Sequence, residues 1–180
     1  SYRDPRIKIF RIDNKGVIAA PRNLVIFFSK GKYLAFLDSD DWWTRSKLEI
    51  SIKKLEAKGV SVVYHDMYLA RKDNQKFFLR KAKSRQLIQP FFNDLIINGN
   101  ALSTSGVLLK KDDLIEISCF SEETKLVAIE DFDAWLRLAL LNKKFYKISK
   151  ILGFYWLGGN NTSNEKRSIH NLLNLEVKFR

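Results

Sequence analysis

Three carboxylates in four positions, Asp38, Asp40 and Asp41, follow directly on the apolar run Tyr33-Leu34-Ala35-Phe36-Leu37. Carboxylates crowded in this way repel and raise one another's pKa, and the arrangement becomes favourable when a divalent cation lies between them. Asp38 and Asp40, two positions apart, both reach such an ion if the chain turns just after the run. The competing reading is structural, with Asp40 or Asp41 capping the next helix. A second acidic pair, Glu130-Asp131, opens an amphipathic segment, and taken alone these are first-turn acids that suit a helix dipole. The other reactive residue types offer less. Two histidines and one cysteine exclude a thiolate or multi-histidine zinc site. Cys119, among apolar neighbours, reads as a buried and inert thiol in a reducing compartment. His65 and His170 have no partner at ligand spacing and read as structural or surface residues.

The elements that must position these acids follow from pattern. Tyr33 to Leu37 is short, continuous and apolar, which predicts a fully buried strand with the acids at its carboxyl end, the edge where open α/β sheets bind ligands. Arg6 to Ile12 alternates like a strand, Asp13-Asn14-Lys15-Gly16 makes a turn, and Val17 to Ser29 is helical provided Pro21 falls in the first turn. Thr44 to Lys58 predicts a helix with Thr44 as N-cap, Leu48, Ile52 and Leu55 on its buried face and Gly59 as the stop. Val60 to Tyr64 is the next strand and ends in His65-Asp66. Strand, helix, strand, helix, strand predicts a mostly parallel sheet covered by helices. Beyond Met67 the pattern predicts a hairpin over Tyr68 to Phe78 around Lys72-Asp73-Asn74, and a helix from Gln86 to Ile97 ending near Asn98-Gly99-Asn100. A strand from Ser105 to Lys110, a short helix from Asp112 to Ile117 and a longer one from Phe132 to Asn142 come next. Phe145 to Tyr155 is a strand, Gly158-Gly159-Asn160-Asn161 a loop, and the tail polar and helical. Trp135 and Leu136, at helical spacing from Phe132 and Ala139, belong to the core.

At 180 residues the chain is sized for a single domain over 1–180, and 46% hydrophobic with 29% charged residues is an ordinary globular composition. The formal charge of +12 suits nucleic acid, an anionic membrane surface or a phosphorylated substrate. No nucleic-acid-binding motif accompanies the lysines and arginines, so nucleic acid is not an expected partner, which leaves a solvated basic surface or a membrane surface. No apolar run approaches the roughly 18 to 20 residues of a spanning helix, and no signal-type segment opens the sequence. The expected location is cytoplasmic, peripheral on the inner face of the membrane.

Asn14-Lys15-Gly16, then Arg22-Asn23, then Gly31-Lys32-Tyr33 leading into Leu37-Asp38-Ser39-Asp40-Asp41-Trp42, then Lys47-Leu48-Glu49, together resemble the family 2 glycosyltransferases of the GT-A fold. The resemblance continues through Ser105-Gly106-Val107-Leu108 and Phe120-Ser121-Glu122 to Glu130-Asp131-Phe132-Asp133-Ala134-Trp135-Leu136-Arg137-Leu138-Ala139, and covers roughly residues 5–163. It implies an α/β fold of GT-A type, a Rossmann-like, mostly parallel sheet flanked by helices. Residues 1–66 would be the nucleotide- and metal-binding part, 67–163 the acceptor-side part and 164–180 a tail. The implied activity is metal-dependent, inverting transfer of a sugar from a nucleotide-diphosphate donor, expected to be a UDP sugar, to a hydroxyl of a glycan or lipid-linked acceptor. Surface polysaccharide, lipooligosaccharide or glycoprotein glycan assembly are the settings it leaves open. By the same resemblance Asp38 belongs partly to the ribose and Asp40 to Mn2+ or Mg2+, with Arg22, Asn14 and Gly16 as nucleotide contacts. Asp131 is the implied base for the acceptor hydroxyl, with Glu130 as runner-up, and the stretch containing Gly99, Asn100 and Ser105 lines the acceptor or donor-sugar pocket. Of Trp42 and Trp43, beside the acids, one is expected to stack on a sugar while the other packs inward.

The chain also departs from the family. Members open with a strand of the Val-Ile-Ile-Pro type and a second ending in Asp-Asp-Gly-Ser, and this sequence starts after both. N-terminal truncation is therefore expected, leaving an apolar sheet edge where self-association into an oligomer would follow. Relatives carry a histidine near the position of Tyr155-Trp156-Leu157-Gly158, sometimes as a third metal ligand, and none stands here. These departures keep a second reading open, a truncated, inactive transferase-like domain acting as a binding module. A phosphatase of the haloacid-dehalogenase type also carries Asp-x-Asp at a strand end, but it needs Thr or Val four positions after its nucleophile, where this chain has Trp42.

Overall fold

A computed structural model describes residues 4–71, 80–82, 84–158 and 165–179. Its elements are α1 (Ala19–Phe28), β1 (Tyr33–Ala35), β2 (Trp42–Trp43), α2 (Lys47–Lys58), β3 (Val62–Ala70), β4 (Lys81–Ala82) and α3 (Phe91–Asn98). They continue with β5 (Leu108–Lys110), α4 (Lys111–Glu116), α5 (Glu130–Leu140), β6 (Phe145–Trp156) and α6 (Glu165–Phe179). Among the described residues no helix is long and apolar enough to cross a membrane.

The sheet runs β1-β5-β3-β6-β2, with β4 paired to β3. A mostly parallel sheet is not what forms. β3 and β6 pair in parallel, whereas β1 with β5, β5 with β3, β6 with β2 and β3 with β4 are antiparallel. The reason is intercalation. β1 and β3 point the same way, as their helical connection through α2 demands, but β5 enters between them in the opposite direction and converts one parallel neighbour relation into two antiparallel ones. The carboxyl ends of β1, β3 and β6 still lie toward one edge, and that edge carries the acids.

Local corrections have local causes. Residues 6–12 form no strand: no described strand pairs with them, and Ile7, Ile9 and Ile12 are exposed, because alternation without a ladder partner does not hold an extended chain. β1 is shorter than expected and only Leu34 is buried, since β1 stands at the end of the sheet order and its described pairing is with β5 alone. α1 forms as expected with Pro21 in its first turn. α3 starts only after Pro90, not at Gln86, because a proline in a helix interior removes a hydrogen bond and clashes with the preceding turn. β3 continues past Tyr64 to Ala70, where Tyr68 faces Lys81 of β4. The turn expected at Lys72-Asp73-Asn74 lies outside the described residues, as does the loop after Gly158. The short helix after β5, the strand at β6 and the helical tail all form. Trp135 is fully buried in the core, as its spacing predicts.

α2 begins at Lys47, ends at Gly59 with φ +60° as expected, and has Ser46, not Thr44, at its N-cap. Its buried stripe is Lys47, Ser51 and Leu55, while Leu48 is exposed. Burial of a lysine is costly unless its ammonium finds partners. Lys47 Nζ donates to the Val107 carbonyl at 3.1 Å and lies 3.9 Å from the centre of the Trp43 ring. Both contacts favour the cation, yet burial dominates and pushes the group down from 10.5 to about 7. Across that window the unfolded chain binds the extra proton, so stability must rise as pH rises from about 7 toward 10.5. Across the full window the rise should be on the order of 5 kcal/mol. Denaturation midpoints taken from neutral pH to pH ~10 should show it in the natural chain and lose it in Lys47→Met.

Candidate active site

Immediately after β1 the chain turns, the Asp41 N–H donating to the Asp38 carbonyl at 3.1 Å. The turn projects Asp38 toward α1, where Arg22 waits on the helix face that meets the strand end. Arg22 uses its two terminal nitrogens as a fork, one donating to Asp38 Oδ1 at 2.8 Å and the other to Glu130 Oε1 at 2.6 Å. One guanidinium thus ties α1, the acidic loop and the first residue of α5 together. Burial alone would lower the Arg22 pKa, but the charges of Asp38 and Glu130 outweigh it and the group is raised. Glu130 is 4% exposed. Burial and the neighbouring Asp131 push its carboxyl up, and Arg22 pulls it back in part.

Asp131, next along α5, opens into the same space. Its Oδ2 accepts the Thr104 hydroxyl at 2.6 Å and its Oδ1 accepts the Phe132 N–H at 2.7 Å. Burial nevertheless raises its pKa above the usual aspartate value, against those two hydrogen bonds. A cavity of about 490 Å³ is lined by Arg22, Asp38, Glu130, Asp131, Gly99, Asn100, Thr104 and Tyr155, among others. Residues far apart in sequence, Asp38 and Asp131, therefore share one cleft.

Other candidates are placed differently. Asp40 is exposed and stands outside the cavity lining. Ser105 has no solvent exposure, and the cavity wall beside it is made by Ser103 and Thr104. Trp43 packs inward, its indole N–H donating to the Ser105 carbonyl at 2.7 Å. Trp42 stacks on Phe154 at 5.2 Å between ring centres, on the opposite side of β6 from Tyr155, because successive side chains of a strand alternate. Neither tryptophan lines the cleft. Asn14 closes its own turn by accepting the Gly16 N–H at 3.2 Å. Gly16, at φ +81°, lines a second hollow with Lys15, Thr124, Lys125 and His170. His65 is buried and driven down to about 4 by that burial, so it is neutral and structural. Cys119 is half-buried with its thiol pushed up by burial, which agrees with an inert role.

Two lining residues are not named singly by motif. Thr104 lies within the stretch from Gly99 to Ser105 that the resemblance marks, and its hydroxyl donates to Asp131. Tyr155 sits at the end of β6, its hydroxyl raised first by burial and then by the charges of Asp41, Asp40, Asp38 and Asp131. Among the described residues no group of three or more His, Cys, Asp or Glu side chains is arranged to hold a metal. Asp38 and Asp40 supply hard oxygen donors of the kind that suits Mg2+ or Mn2+, which keep water or phosphate oxygens among their ligands.

Comparison with known proteins adds an independent line. The family model described as Glycosyl transferase family 2 matches residues 1–115. An uncharacterized glycosyltransferase of Methanocaldococcus jannaschii is 24% identical over 154 residues, covering 83% of this chain and 50% of the relative. The Escherichia coli UDP-Glc:alpha-D-GlcNAc-diphosphoundecaprenol beta-1,3-glucosyltransferase WfgD is 35% identical over 63 residues, covering 35% of this chain and 25% of the relative. The crystal structure of Staphylococcus aureus TarS residues 1–349 with UDP superposes with a TM-score of 0.61 at 17% identity, covering 90% of this chain and 45% of TarS. That likeness speaks to the fold, which is of the GT-A type. The chain spans half or less of the length of each of these proteins.

The ion-pair fork makes a stability prediction independent of activity. Arg22→Ala leaves Glu130 buried without its cation and should destabilise the protein by about 3 kcal/mol, because removing one partner strands the other charge. Adding Glu130→Gln should recover most of that loss. Urea denaturation of the two single variants and the double variant measures the coupling.

Proposed function

The chain belongs to glycosyltransferase family 2, and from that premise we propose that its cleft transfers a sugar from a UDP-sugar donor to a hydroxyl of a lipid-linked glycan acceptor in surface polysaccharide assembly. One observation carries the reading: Asp38 at a strand end and Asp131 at a helix start open into one cavity, where Arg22 bridges Asp38 to Glu130, the residue before Asp131. Transfer with inversion needs a proton removed on one side of the anomeric carbon while a diphosphate leaves on the other. The donor class draws on TarS, solved with UDP, and on WfgD, whose name gives UDP-Glc as donor and a diphosphoundecaprenol-linked acceptor.

In this proposal Asp131 takes the proton of the acceptor hydroxyl. A general base works best when its pKa approaches the working pH, and burial moves the Asp131 carboxyl in that direction. The Thr104 hydroxyl fixes Oδ2 by donating to it, and both residues line the cavity. Glu130 is the weaker candidate for base, being already committed to Arg22. Arg22 keeps positive charge at the donor side and orients Asp38 toward the nucleotide. Asp38 and Asp40 would hold Mn2+ or Mg2+, which supplies charge neutralisation for the departing diphosphate. The excess of basic residues would draw the enzyme to anionic lipid at the cytoplasmic face, an attraction of about 1 kcal/mol per well-placed Lys or Arg that fades with salt.

Two substitutions test the assignment. Asp131→Asn should keep UDP binding and lose acceptor-dependent transfer by ~10²-fold or more. Near-normal transfer with a small loss of stability would reduce Asp131 to a helix-terminal acid. Asp40→Ala should abolish the Mn2+-dependent part of the rise in melting temperature caused by UDP. An unchanged shift would remove the cation from these residues, and UDP binding without transfer to any acceptor would favour a binding module.

A further inference from the structure

On its inner side, the backbone of the acidic loop after β1 meets a buried hydroxyl. Ser105 Oγ accepts the Asp38 N–H at 3.1 Å. A serine hydroxyl that accepts still has its own proton to donate, and the Asp41 carboxyl is near enough for that hydroxyl to pull its pKa down against burial. Asp41 is turned into the protein and is 8% exposed. One of its oxygens accepts the Trp156 N–H at 2.9 Å, and the other is buried without a hydrogen-bond partner among the described residues unless the Ser105 proton turns to it. Ser105 thus bonds the first residue of the loop that spans residues 38–41, and its hydroxyl stands close to the carboxyl of the last.

The segment carrying Ser105 has little room to shift. Its carbonyl accepts the Trp43 indole N–H at 2.7 Å, and two residues on, the Val107 carbonyl accepts Lys47 Nζ at 3.1 Å. Between them Gly106 presses so close to β3 that a Cβ there would lie 3.0 Å from the His65 carbonyl oxygen. The hydroxyl is therefore presented from a rigid wall, not from a mobile loop.

We infer that Ser105, with Asp41 as its counterpart, is the positioning residue of the acidic loop: it spaces the first acid from the last, leaves Asp38 and Asp40 outward for ligand, and makes Asp41 an anchor instead of a ligand. The inference rests on the reading of the cleft as a nucleotide-sugar site for its functional consequence, but the positioning itself is measurable without that reading. The variants are Ser105→Ala and Ser105→Thr, the second restoring a hydroxyl. The measurements are amide hydrogen exchange and calorimetric titration with UDP in the presence of Mn2+.

In Ser105→Ala the amides of Asp38 and Asp41 should exchange at least tenfold faster while those of Val63 and Leu109 in the sheet stay unchanged. UDP affinity with Mn2+ should fall at least tenfold, and Ser105→Thr should recover much of both effects. Unaltered exchange and affinity in Ser105→Ala would overturn the inference, and so would exchange that speeds up uniformly across the sheet, since that is general loss of stability. If the natural chain itself fails to bind UDP with Mn2+, the reading of the cleft fails, and the exchange pattern alone then decides the positioning role. Should Ser105→Ala not fold, Ser105→Cys, whose thiol accepts hydrogen bonds only weakly, carries the same expectations.

Discussion

The arrangement around Arg22 is the constraint on which the site depends. A guanidinium fork has a fixed geometry, and here its prongs engage carboxylates that come from the end of β1 and the start of α5. Neither carboxylate has another reason to face the other: both are acids, and without a cation between them they would repel. The fork converts that repulsion into a three-way tie among α1, the acidic loop and α5. Asp131, one residue beyond Glu130, is carried into the cleft by the same tie.

Charge inside the protein is used repeatedly in this way, for alignment more than for net stability. A buried ion pair returns little beyond its desolvation cost, but it penalises any arrangement that leaves one member unpaired. Asp133, fully buried in α5, receives Arg137 at 2.7 Å from its own helix and Lys178 at 2.7 Å from α6. Arg85 pairs with Asp94 and also donates to the Gly99 carbonyl at 3.0 Å, which steadies the turn whose Gly99 and Asn100 line the cleft. The cavity is therefore lined by segments whose positions are set by charged contacts. Asp40, exposed and outside the cavity lining, takes no part in them.

The sheet supplies what the ion pairs align. With β5 intercalated between β1 and β3, the segment just before β5 is brought against the end of β1. That segment contains Thr104 and Ser105, one facing the cleft to bond Asp131 and the other facing inward to bond the Asp38 backbone. Adjacent residues on a tight turn can serve opposite sides of a wall, and this turn does so between Asp38 and Asp131.

Sequence by itself determined the elements with strong local signals and the acids that end or begin them. Gly59 stops α2 in the left-handed conformation, Pro21 sits in the first turn of α1, and Asp38 and Glu130-Asp131 stand at the ends of secondary structure. Each follows from short-range sterics or patterning, which a neighbour in sequence suffices to fix. Tertiary structure decided the rest. The direction of strand pairing depended on β5, a partner remote in sequence, and the absence of a strand at residues 6–12 depended on the lack of a partner among the described strands. The burial of Lys47 in place of Leu48 turned on a carbonyl and an indole from elsewhere in the fold. The inward turn of Trp43 and Ser105, and the entry of Tyr155 and Thr104 into the cleft, likewise depended on which face the sheet presents. Such choices are made by long-range packing and by electrostatic partners distant in the chain, and no local pattern encodes them.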